Sequence, residues 1–195
     1  MNLMEKFDNR VIIPLLIVIG IGAAFLFWRT GQGGAPGDYE VRTGNYRLED
    51  GLFDQAEAEF KKALAKNPDH IAAHLALAIT YMQIDRRQEA LNEFNRTLEL
   101  QPDNAMAYAD RGILYDRMGE FEKALRDYRT SIALDERVTE GPGWLWRFMR
   151  NIDEKPPTLI DRANYLEAEL DKPPEERLLK VPEIDSEQRM HKKSY

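Results

Sequence analysis

The chain has 195 residues, a formal net charge of −7 and no cysteine. The missing thiols exclude disulfides, thiol catalysis and cysteine-bound metals. The acidic balance argues against non-specific nucleic-acid binding, and the scatter of both charge signs suits solvated helix faces.

Residues 1–10 read as a short polar tail. Residues 11–28 (VIIPLLIVIGIGAAFLFW) carry no charge. As a helix this run is ~27 Å long, close to the hydrocarbon thickness of a bilayer. Arg10 and Arg29 bracket it, and Phe25, Phe27 and Trp28 gather at one end, where aromatic rings favour the membrane interface. A cleaved signal peptide would have a shorter apolar core and small residues at its end. The spacing therefore predicts a single transmembrane helix over 11–28. Lys6 and Arg10 on one side nearly balance Arg29, Arg42 and Arg47 on the other, so charge leaves the orientation open. A short tail inside with an exported domain is the arrangement expected, the cytoplasmic side remaining the alternative. Residues 29–37 include the glycine-rich TGQGGAPG and read as a flexible linker.

From 38 to 136 the sequence repeats itself every 34 residues, over 38–70, 71–104 and 105–136. Ala56, Ala90 and Ala124 recur in register, as do Phe60, Phe94 and Tyr128, and Leu64, Leu98 and Ile132. Gly44, Ala78 and Gly112 are all small. Pro68 and Pro102 match, with Glu136 in their place in the third copy. Each copy predicts two amphipathic helices, in the second copy over about 74–84 and 88–100. Gly51 and Gly119 mark the turn between helices in copies one and three, where a left-handed backbone angle is cheap in glycine. The small side chains let paired helices approach, and the large ring fills the space beside them.

A 34-residue helix-turn-helix with these positions resembles the tetratricopeptide repeat family. The departures are Arg47, where the family has tyrosine, and Thr97 and Ser131, where it has alanine; copy one looks like an edge repeat. The resemblance implies an all-α solenoid whose first helices line a peptide-binding groove. The matching positions are Val41, Asn45 and Leu48, then Leu75, Ile79 and Met82, then Met106, Ala109, Ile113 and Asp116. Some relatives clamp the C-terminal carboxylate of chaperones with basic and asparagine side chains. Only Asn45 matches that clamp, while Ala76, Met106 and Asp110 stand where polar or basic residues belong. The groove instead reads as apolar, with Met82 and Met106 offering adaptable contacts.

After the repeats, Gly141-Pro142-Gly143 breaks the pattern. Residues 137–153 contain WLWRFMRNI, an expected capping helix in which Trp144, Leu145, Phe148, Met149 and Ile152 cover the last repeat. An interfacial helix dipping into lipid is the alternative. Residues 154–195 read as a docking tail: Thr158 caps a helix to about Leu170, with Leu159, Ala163, Tyr165, Leu166 and Leu170 apolar. The repeat domain is the nearest surface for it, and its own groove is one possible seat.

His70 and His74 are spaced i, i+4, as metal ligands can be, but His70 falls in a turn and no metal is expected. His191 lies in the tail. The serines, Ser131, Ser186 and Ser194, have no catalytic setting, and no nucleophile elbow or phosphate loop is present. We therefore expect no enzyme, no cofactor and no small-molecule substrate. The expected function is a membrane-anchored adaptor or scaffold that takes a helical or extended protein segment in an apolar groove. The alternative is a constitutive accessory subunit or assembly factor of a larger membrane complex, such as a translocon or a cytochrome or respiratory assembly. Anchor, three repeats and a proline-punctuated tail together are similar to small repeat proteins of the bacterial inner membrane, with the repeats on the periplasmic side.

Overall fold

The structure, a computed structural model, describes residues 19–22, 34–139 and 158–180. Residues 19–22 are helical, and the rest of the expected 11–28 span lies outside the described residues. So do the expected tail 1–10, the capping helix beyond residue 139 and everything after residue 180. Among the described residues no helix is long and apolar enough to cross a membrane.

Six helices form three antiparallel pairs: α1 (Asp38–Glu49) with α2 (Phe53–Lys66), α3 (Ile71–Gln83) with α4 (Arg87–Leu100), and α5 (Ala105–Met118) with α6 (Phe121–Leu134). The expected first helix of the second copy starts earlier, at Ile71, because His70 adopts an extended backbone and opens the helix. Asn104 opens α5 in the same register; its side chain accepts a bond from the Ala107 N–H at 3.0 Å.

Within each pair the small residue meets the large ring. A β-carbon added at Gly44 would lie 2.5 Å from the Phe60 ring, and one at Gly112 would lie 2.6 Å from Tyr128. Phe60, Phe94 and Tyr128 are completely buried, as are Ala56, Ala90 and Ala124. Thr97 and Ser131 occupy buried positions that alanine fills in the first copy, at Ala63. Their hydroxyls are satisfied by donating to carbonyls, Thr97 to Glu93 at 2.9 Å and Ser131 to Ala105 at 2.7 Å. Burial of these hydroxyls therefore leaves no unmade bond.

Gly51 and Gly119 take left-handed backbone angles, φ +73 and +80. In the second copy the same register position is Asp85, with φ +59. An aspartate tolerates this region better than most side chains do.

Repeats stack because the second helix of one pair packs on the first helix of the next, α2 on α3 and α4 on α5. The first helices also touch their neighbours, α1 with α3 and α3 with α5. One buried core runs through all three pairs. A short 3-10 turn, Glu136–Thr139, follows α6. Helix α7 (Leu159–Leu170) then packs on α6 as α3 packs on α2, and so covers the end of the array. Its first turn is closed by Asp161, whose carboxylate accepts from the Thr158 N–H at 2.8 Å.

Candidate binding groove and the end of the array

The ten groove candidates all lie on the first helices of the three pairs. They divide by burial. Val41, Met82, Ala109 and Ile113 are buried and belong to the floor. Asn45, Leu48, Leu75, Ile79 and Met106 are half-buried. Leu48, Leu75 and Ile79 pack against the core on one side and keep surface on the other.

Asp116 leaves this set. Its side chain is 4% exposed, and both carboxylate oxygens receive bonds from Arg162 of α7, at 2.7 Å each. The Tyr128 hydroxyl donates to the same carboxylate at 3.1 Å. Burial, and then the adjacent Asp116 charge, push the Tyr128 phenol well above its usual pKa. It therefore stays protonated and donates. The arrangement accounts for the third copy having a tyrosine where the others have phenylalanine: only the third ring stands beside this buried carboxylate. Sequence reasoning passed over Arg162. The available signal was its place on the apolar face of α7, in line with Leu159, Ala163 and Leu166.

The chain after α7 folds back over it. The Leu178 N–H donates to Glu169 at 2.7 Å, Arg162 also donates to the Leu179 carbonyl, and Tyr165 donates to the Leu178 carbonyl. Arg129 of α6 reaches Asn164 and Glu167 from the other side. Tyr165 and Leu166 are thus engaged at the end of the array, with Leu166 fully buried.

His70 and His74 serve the scaffold. His74 Nδ1 pairs with Glu93 at 2.6 Å, and its Nε2 lies 2.8 Å from the Pro68 carbonyl. Burial opposes the charged ring, but these bonds outweigh it and raise the His74 pKa. His70 Nε2 lies 2.9 Å from Asp38. His70 and His74, spaced i, i+4, therefore meet different partners, Asp38 and Glu93.

Polar fasteners cross between helices elsewhere. Arg86 meets Glu57 at 3.0 Å and stacks over the Tyr81 ring. Burial works against the Glu57 carboxylate, yet Lys61 and Arg86 hold its pKa below the ordinary value. Arg111 joins Asp127 of α6 at 2.7 Å to Asn95 of α4 at 2.8 Å, linking the second and third pairs. These groups neutralise one another. A half-buried apolar row can hold an apolar segment.

Family models describe the repeats directly: residues 47–110 and 105–138 each match a tetratricopeptide repeat model. The chain carries tetratricopeptide repeats. A comparison with curated protein sequences finds no match. Among solved structures, the first and second tetratricopeptide domains of Spaghetti (RPAP3), each bound to the HSP90 peptide SRMEEVD, are similar. The first is 19% identical with a TM-score of 0.51, over 62% of this chain and 92% of that one. The second is 21% identical with a TM-score of 0.50, over 51% and 93%. These likenesses show an all-α tetratricopeptide solenoid. A crystal structure of MamA is 26% identical over 52% of this chain, with a TM-score of 0.49. This chain spans 60% of the length of MamA.

Proposed function

We propose that the chain is a membrane-anchored adaptor whose tetratricopeptide groove takes the apolar face of a helical or extended protein segment. The observation that carries this reading is the half-buried row of Leu48, Leu75, Ile79 and Met106 along the first helices. Such a row suits helix-in-groove binding, where apolar anchors repeat at helical spacing. Residues 11–28 tether the groove to the bilayer, and tethering raises the effective concentration of a membrane-borne partner without any new contact.

The HSP90 peptide on the Spaghetti domains ends in acidic residues. The clamp positions that the family resemblance implies are here Ala76, Met106 and Asp110, and both Ala76 and Asp110 are buried. An acidic C-terminus would meet no basic clamp at these positions, which favours an apolar ligand.

The test is capture of partners by the full-length chain in gentle detergent, compared with Ile79→Asp. Helicity should persist, because Ile79 keeps free surface, while capture should fall to background. Undiminished capture by the variant would remove the groove from the account. A fixed stoichiometry that survives the substitution would favour a permanent subunit of a larger complex.

A further inference from the structure

We propose that the outward face of α1 rests on an anionic membrane surface, that of the bilayer entered by residues 11–28. This deepens the anchoring reading above and depends on it.

The stripe consists of Tyr39, Arg42, Thr43, Tyr46 and Arg47. Tyr39 is 68% exposed and Tyr46 is 64% exposed, while most large hydrophobic side chains of the repeats are buried or half-buried. Spacings of three, four and seven residues put these positions on one side of a helix. Among the described residues neither Arg42 nor Arg47 has an acidic partner. The other arginines of the first two repeats all do: Arg86, Arg87 and Arg96 are each paired with a carboxylate.

The acids at the start of α1 are turned away from this stripe. Asp38 meets His70 at 2.9 Å. Glu40 is buried and meets Lys66 at 2.7 Å. Glu49 and Asp50 are exposed at the far end of the helix. Asp50 lies three residues beyond Arg47 at the end of this face, and ahead of it the face offers two cations and two phenol rings. It carries no exposed aliphatic side chain of the kind that knits helices together. Tyrosine and arginine suit a headgroup region, where rings sit at the interface and cations meet anionic lipid.

Two arginines would hold a free protein on a membrane only weakly. The linker changes that. Residues 29–37 reach at most about 30 Å when extended. Gly37 is itself fixed: it is buried, has φ +101, and a β-carbon there would lie 2.9 Å from His70. Helix α1 therefore starts immediately after a short tether, and its contact with the bilayer is intramolecular in effect.

The chain has no cysteine, so single labels are clean. A fluorophore is placed at Thr43→Cys, between the two tyrosines, and at Glu122→Cys on α6 as a reference. Asp50→Cys replaces the first site should Thr43→Cys lose helicity. Full-length protein is reconstituted into nanodiscs of phosphatidylcholine alone or mixed with phosphatidylglycerol, with a headgroup spin label as quencher. The expected result is severalfold stronger quenching at position 43 than at 122 in anionic discs. This excess should shrink in neutral discs and vanish when Arg42→Glu and Arg47→Glu are combined. Equal quenching at 43 and 122 in anionic discs, with the chain still co-eluting with the discs, would overturn the proposal and leave the anchor standing. Shielding of position 43 that is the same in detergent, neutral and anionic discs would also overturn it. That outcome would mean that protein, either the chain's own N-terminal segment or a second copy, covers the face. Failure of the chain to co-elute with any disc would overturn both the proposal and the anchor.

Discussion

The two ends of the repeat array meet their surroundings in opposite ways. At the C-terminal end, α7 buries Ala163 and Leu166 against α6, and Arg162 closes over the Asp116 carboxylate. At the N-terminal end, α1 turns Tyr39 and Tyr46 outward, and its two arginines have no acidic partner among the described residues. A solenoid must cover its apolar ends. The C-terminal end does so with its own helix and a buried ion pair. On the N-terminal side the outer face is polar and aromatic, and so suits a wet, charged surface. The contrast teaches that one end closes on its own helix while the other keeps an exposed polar and aromatic face.

Removing the closure should have the largest effect. Arg162→Ala leaves Asp116 buried without its cation and should cost about 3–5 kcal/mol, read by denaturant unfolding. A near-neutral result would mean that the Arg162–Asp116 pair does not hold the end of the array together. Leu166→Ala tests the apolar half of the same closure. It should cost about 3 kcal/mol by emptying a fully buried site. Gly112→Ala probes packing inside the third pair, where the new methyl would press on Tyr128. An overpacking cost of about 2 kcal/mol is expected, visible as a lower midpoint of thermal unfolding.

A pH series separates the middle of the array from both ends. His74 has a raised pKa in the folded state, so its contribution is fully present below its ordinary value of 6.5. It is lost as the pH climbs through the raised folded value. Stability should therefore decline across that interval, and His74→Gln should flatten the decline. An unchanged slope in the variant would assign the effect to another group. The smallest effect belongs to the open end. Replacing Tyr39 and Tyr46 by serine should change stability by no more than about 0.5 kcal/mol each. A large loss would show that these rings support the fold and are not a free surface.

Much of the fold was legible because repetition amplifies weak signals. Four register positions recurring every 34 residues, and a proline shared by two copies, fix the helix pairs, and the glycines at 51 and 119 fix two of the turns. The third turn was hidden because Asp85 carries a backbone angle that sequence usually signals with glycine. Its place in the 51, 85, 119 register was the available clue. Asp116 was misread for a physical reason. Its register position lines the groove in an internal repeat, but at the end of the array a following helix can claim it. Arg162 lies 46 residues away, beyond any local period. A charged residue on the apolar face of the tail helix, together with tyrosine replacing phenylalanine at 128, pointed to a buried pair. The apolar row at 48, 75 and 79 follows from the repeat register alone. The identity of its occupant has no such pattern behind it.

The most direct test of the central claim, that the first-helix face is the binding surface, is site-specific photocrosslinking in native membranes. A photoreactive residue is placed in full-length protein at Ile79, in the apolar row, or at Asn92, exposed on α4. The account predicts a discrete protein adduct from position 79 and none from position 92, with the adduct lost when Leu75→Asp is added. Adducts of equal yield at both positions, or at 92 alone, would contradict it.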